Sequence, residues 1–336
     1  MNCPGRIALA LFCLQAAVGC SYVANKPESG VVVDVPLSEE TSDENNVQFV
    51  SATSEQNINW DKPRLAAAIC RATYLAAADE AALLNQLGFS TTRSFDVEGL
   101  HGIVCSNRDF VVIAFRGTTS LSNWVIDADI RMTSTPHGLI HRGFYDAMKS
   151  LYVDLQQEAT AQGADTKTVW VTGHSLGGAL ALAFACEASF RDDVPINMLI
   201  TFGQPLVVSE NLGKYVNATF GRRYQRFVDA SDIVCRLLPR FYHAGERIRL
   251  TGDNFEVRDP IVSSRAQAPG SHPVDPEAMT EDELAELQDR IRAEAARGTG
   301  GPANSRALLS WLTNHRITAY ESRIAELATR IHGTAQ

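Results

Sequence analysis

The chain lacks any apolar run long enough to cross a bilayer, which takes about 20 residues. The longest, Ile7–Val18, lies at the extreme N-terminus. It also lacks a basic surplus: 30 Lys and Arg stand against 39 Asp and Glu, for a net charge of −9. That balance excludes a cationic footprint for nucleic acid. There is no Cys-x-x-Cys pair and no Cys/His cluster among the seven cysteines, so nothing calls for zinc. Repeats of 20–50 residues are missing, which excludes solenoids and propellers. With 23 Gly and 13 Pro, composition is far from collagen. What remains is a 336-residue chain, 45% hydrophobic, with enough apolar material for one large or two small globular domains.

The N-terminus reads as an address. Arg6 precedes the apolar stretch Ile7–Val18, which fits the core of a secretory signal. It ends in Ala17-Val18-Gly19-Cys20, small residues before a cysteine. This resembles the lipobox of bacterial lipoproteins, with Ala17 where leucine is preferred. The resemblance implies cleavage after residue 19, a lipid on Cys20, and an exported envelope protein held on a membrane. Plain secretion is the alternative. Residues 20–59 are polar and acidic, a composition that cannot offset its ordering entropy, and are expected to form a flexible tether. Cys70, Cys105, Cys186 and Cys235 sit inside apolar segments and read as buried thiols.

From residue 60 to 332 the pattern becomes that of one domain. Strand-like runs are Gly102 to Cys105, Phe110 to Phe115, Thr168 to Thr172, Met198 to Phe202, Tyr224 to Val228 and Arg247 to Leu250. Helical spacing occupies 143–158, 176–189 and 209–219 between them. Alternating strand and helix predicts an α/β fold with a mostly parallel central sheet and helices on both faces. The continuous run Val111-Val112-Ile113-Ala114-Phe115 suits a strand covered on both sides. Residues 276–304 form a charged insertion. Thr280 and Glu283 spell a capping box, and Leu284, Leu287 and Ile291 make a narrow apolar stripe. A solvated helix and a cap over a site mouth are both compatible with that stripe.

One motif carries chemistry. Gly173-His174-Ser175-Leu176-Gly177 is a G-x-S-x-G between a β-branched strand and an Ala/Leu-rich helix. This is the setting of a nucleophile elbow, where a serine hydroxyl projects from a sharp turn. Gly173 and Gly177 lack Cβ atoms that would collide across that turn. The helix N-terminus aims its amides and dipole at the place where an oxyanion forms.

Around this elbow the chain resembles the class 3 lipases over residues 60–330. The blocks that carry the resemblance come in order: Val112-Ile113-Ala114-Phe115-Arg116-Gly117-Thr118, Asn123-Trp124, His141-Arg142-Gly143-Phe144, the elbow, Thr201-Phe202-Gly203-Gln204-Pro205, Ser231-Asp232-Ile233-Val234, and a late His315. Cys235 and Leu206 depart from the usual Pro and Arg. The resemblance implies an α/β-hydrolase fold and a serine esterase cleaving acylglycerols or related lipid esters through an acyl-enzyme, with no metal or cofactor. Phospholipase A-type or feruloyl esterase action is the alternative, and an inactive binding scaffold a remote one. It implies Ser175 as nucleophile, His315 as base and Asp232 as the acid that orients it. His243, His272, His332 and Asp229 are the competitors left by chain order. The backbone amides of Thr118 and Leu176 would form the oxyanion hole. A lid is expected where Leu121, Trp124 and Val125 share one helical face, although a helix packed permanently on the core fits the same spacing.

Overall fold

A computed structural model describes residues 58–97, 99–118, 125, 130–252, 254–259, 278–297 and 315–333. The expected signal, Cys20, the tether up to residue 57, and lid residues Leu121 and Trp124 lie outside the described residues, as does His272.

Ten strands are described: β1 (Thr91–Val97), β2 (Leu100–Ser106), β3 (Phe110–Phe115), β4 (Met132–Thr135), β5 (Gly138–His141), β6 (Thr168–His174), β7 (Ile196–Phe202), β8 (Tyr224–Asp229), β9 (Glu246–Thr251) and β10 (Asn254–Arg258). Eight of them make one sheet in the order β1-β2-β3-β6-β7-β8-β9-β10, and β4-β5 is a separate hairpin. The central run from β3 through β9 is parallel, and the strands at both edges pair antiparallel. The described helices are α1 (Asp61–Ala72), α2 (Ala77–Gln86), α3 (Arg142–Ala161), α4 (Leu176–Arg191), α5 (Glu210–Phe220), α6 (Glu281–Arg297) and α7 (Ile317–Gly333).

Alternation along β3 explains the layering. Val111, Ile113 and Phe115 join the core on the side of α3 and α4, with Leu151, Leu155 and Leu180. Val112 and Ala114 point the other way, toward Ile69 of α1 and Leu84 of α2. Farther across the sheet, Cys70 of α1 and Tyr320, Ile324 and Leu327 of α7 cover Phe202, Phe227 and Ile248. Because β3 is covered on both faces, its segment is continuously apolar, and β6 and β7 beside it are largely so. Residues Gly177 to Ala188 of α4 are buried without a break, so this helix has no solvent stripe and sits in the heart of the molecule.

α6 resolves the two readings of its stripe. Thr280 N–H donates to Glu283 Oε2 (2.7 Å) and Glu283 N–H to Thr280 Oγ1 (3.1 Å), which is the capping box. Met279, Leu284, Leu287 and Ile291 are buried in the same cluster as Val125. Gln288 Nε2 donates to the Val125 carbonyl at 3.0 Å. The helix is therefore solvated on its acidic face only. Cys70, Cys105, Cys186 and Cys235 are all buried.

Candidate active site

Parallel strands that end at one sheet edge deliver side chains to one place. β6 ends at His174, and Ser175 follows with φ 60 and ψ −130, a conformation a non-glycine residue adopts only when its surroundings impose it. The surroundings are visible. Ser175 N–H donates to Phe202 O of β7 at 2.8 Å, and α4 begins at the next residue. A Cβ on Gly173 would fall on the Gly177 carbonyl, and one on Gly177 would fall on the Phe115 carbonyl. Only glycines let strand, turn and helix approach this closely. Ser175 is 2% exposed, at the N-terminus of a 16-residue helix.

β8 ends at Asp229, and Asp232 follows three residues on. Its Oδ1 accepts from Val234 N–H (2.9 Å). Its Oδ2 lies 2.7 Å from His315 Nδ1 and accepts from Tyr320 Oη–H, also at 2.7 Å. Burial pushes this carboxyl up, but His315, Tyr320 and the Val234 amide together hold it below the ordinary carboxylate value. A carboxylate accepts, so His315 Nδ1 carries the proton and Nε2 presents a lone pair in the neutral ring. His315 Nε2 and Ser175 Oγ are both buried and have no hydrogen-bond partner among the described residues. A buried orphan polar atom costs about 1–3 kcal/mol, so an orphan hydroxyl on the elbow serine and an orphan nitrogen on the histidine held by Asp232 each call for a role.

Two of the competitors, Asp229 and His243, are engaged elsewhere. Asp229 pairs with Arg323 and accepts from Ser231. His243 Nε2 lies 2.7 Å from the Cys235 carbonyl, and burial drives its basicity far down, so it is a packing residue. On the other flank, the loop after β3 brings Gly117 against the elbow: a Cβ on Gly117 would stand 3.0 Å from Ser175 Cβ. Thr118 is the next residue, and Leu176 opens α4. Val125 is buried, joined to α6 as described.

Two residues of this site carry no local signal. Tyr74, just past α1, places its hydroxyl 2.8 Å from His174 Nδ1 and accepts Gly117 N–H at 3.0 Å. Tyr320 reads in sequence as one more residue of the α7 stripe; only its distance to Asp232 reveals the hydroxyl's part.

With this geometry in view, the comparisons are informative. Residues 112–242 match the family model described as Lipase (class 3). A lipase of Rhizomucor miehei is 33% identical over 52% of this chain and 51% of its own. Its solved structure superposes with a TM-score of 0.52 at 25% identity, covering 60% of this chain and 84% of that one, and shares the α/β-hydrolase fold. A secreted mono- and diacylglycerol lipase A of Penicillium cyclopium is 32% identical over 44% of this chain and 49% of its own. The chloroplastic phospholipase A1 PLIP2 of Arabidopsis thaliana is 26% identical over 71% of this chain but 34% of its own. The chain thus spans about half the length, or less, of these curated relatives. The likeness to the class 3 lipases is carried by the block from β3 to the segment after β8, residues 112–242.

Proposed function

We infer that this chain is a serine carboxylic-ester hydrolase acting on acylglycerols or similar lipid esters. The observation that carries the reading is the pair of buried, unpartnered atoms Ser175 Oγ and His315 Nε2, with Asp232 behind the imidazole. In this reading Ser175 Oγ attacks the acyl carbonyl carbon as His315 Nε2 takes its proton. Asp232 holds the ring and stabilises the imidazolium. Amides of Thr118 and Leu176 donate hydrogen bonds to the developing oxyanion, aided by the positive end of α4. Collapse expels the alcohol with the proton returned by His315. Water, deprotonated by His315, then attacks the acyl-enzyme and releases the fatty acid.

The fungal relatives named as lipases favour acylglycerols. The match to a phospholipase A1 over 71% of the chain favours a second reading, glycerophospholipid cleavage. Fatty-acid release from tributyrin against dibutyryl phosphatidylcholine separates them. Turnover of p-nitrophenyl butyrate tests the common core. Ser175→Ala should abolish it, and a variant that kept full turnover would remove the reading. A secreted relative supports export. The run ending in Cys20 supports a lipid-anchored form, for which Cys20→Ser should move the protein from the membrane to the soluble fraction; unchanged partitioning would count against it. The segment carrying Leu121, Trp124 and Val125 is assigned to a cover over the site.

A further inference from the structure

His174 is invisible to the mechanism above, yet both of its nitrogens are committed. Nε2 lies 2.5 Å from the main-chain carbonyl of His315, the residue whose side chain serves as base. A carbonyl only accepts, so Nε2 bears the proton. Burial, with the nearby His315 ring adding to it, lowers the pKa of His174 to about 3, so the ring holds one proton throughout the neutral range. Nδ1 is therefore an acceptor, and the Tyr74 hydroxyl donates to it at 2.8 Å. Burial drives the Tyr74 phenol well above its ordinary value, so that donor persists too. The Tyr74 oxygen in turn accepts Gly117 N–H at 3.0 Å. Every bond in this chain has a forced direction: Gly117 N–H to Tyr74, Tyr74 O–H to His174, His174 N–H to the His315 carbonyl.

The two ends of the chain are the two parts of the site that the elbow itself does not hold. Gly117 immediately precedes Thr118. His315 lies just ahead of α7, more than a hundred residues from the elbow in sequence, and its ring sits 4.7 Å from that of His174. A neutral ring there adds no charge against the imidazolium that forms on His315 during turnover.

We propose that Tyr74 and His174 are positioning residues, a relay that ties the oxyanion-hole strap to the main chain of the catalytic histidine and so sets kcat rather than substrate binding. The proposal rests on the ester-hydrolase reading and deepens it. Neither side chain need touch substrate for this role.

The test uses Tyr74→Phe, His174→Leu and His174→Gln, with p-nitrophenyl butyrate as substrate. Misplacing reacting groups by about 1 Å costs on the order of a hundredfold, so Tyr74→Phe and His174→Leu should each lower kcat by about tenfold to a hundredfold, with KM within about twofold. A glutamine amide can donate from near the Nε2 position, so His174→Gln should recover most of the loss caused by leucine. Kcat unchanged in Tyr74→Phe, a loss falling on KM, or glutamine no better than leucine would each overturn the relay. Should His174→Leu fail to fold, Tyr74→Phe, which removes a single oxygen, decides alone. Full turnover by Ser175→Ala is a different outcome: it removes the ester-hydrolase reading and the relay with it, whereas Ser175→Ala inactive with Tyr74→Phe unimpaired removes the relay only.

Discussion

Gly203 follows β7 directly, with φ +57, and it faces the Asp232–His315 pair. A Cβ at this position would stand 2.8 Å from Asp232 Oδ2, 2.9 Å from His315 Cε1 and 3.0 Å from His315 Nδ1. Comfortable contacts to carbon begin near 3.5 Å, so in Gly203→Ala the carboxylate and ring must retreat by about 0.5–1 Å. Displacement on that scale costs on the order of a hundredfold in rate, so kcat should fall by about thirtyfold or more. The left-handed backbone adds about 1–2 kcal/mol of destabilisation, a drop of roughly 2–8 °C in Tm for a domain of this size. Gly221, just past α5, supplies the control. Its φ is +53, yet a Cβ there meets nothing within 4 Å. Gly221→Ala should likewise pay for a positive φ, with kcat unaltered. The assays are initial rates on a soluble ester and thermal melts of both proteins. A Tm loss in both proteins with a kcat loss confined to Gly203→Ala supports the placement of the pair. If Gly203→Ala turned over within about twofold of the parent, the space behind the imidazole would not be what orients it.

Two further predictions concern stability. His101 lies between Glu80 Oε2 (2.7 Å) and Asp96 Oδ1 (2.8 Å), and carboxylates only accept, so both ring nitrogens donate. The hydrogen bond to Glu80 raises its pKa, burial opposes, and Asp96 raises it further. A pKa raised on folding contributes stability in full below the unfolded value of about 6.5, and that contribution is lost as pH rises through the folded value. Urea midpoints should therefore fall as pH rises above about 6.5, and His101→Gln should flatten that slope; an unaltered slope would refute the assignment. For α6, Leu287 is 7% exposed within the main core cluster, so Leu287→Ala should cost about 2–5 kcal/mol by urea unfolding. A loss below about 0.5 kcal/mol would return the helix to the status of a solvated appendage.

Much of this was legible before any coordinate. Strands β3, β6 and β7 announce themselves because a strand covered on both faces is largely apolar, and β8 by its β-branched and aromatic residues between the helices. α4 starts where the glycines of the elbow permit it to. The edge strands were not legible. β1 (Thr-Thr-Arg-Ser-Phe-Asp-Val) is polar and largely exposed, and its place depends on pairing with β2 rather than on any pattern of its own. α2, the β4-β5 hairpin and β10 are short elements with the same dependence. The apolar stripe of α6 was visible, but a stripe does not name its partner. Among site residues, Ser175, Asp232 and His315 carry motif signatures. Tyr74 and Tyr320 contribute single hydroxyls across separations that only tertiary folding closes, and Tyr320 was hidden by being a good packing residue as well.

The central claim is that the Ser175 hydroxyl is the nucleophile, activated by His315. Diethyl p-nitrophenyl phosphate tests it directly, because attack on phosphorus expels p-nitrophenolate and leaves a stable diethylphosphoryl ester on the attacking oxygen. Mass spectrometry of the digested protein should find that group on the peptide carrying Ser175, with labelling slowed severely in His315→Ala. A label on another residue, or labelling of the Ser175→Ala protein at the parent rate, would contradict the account.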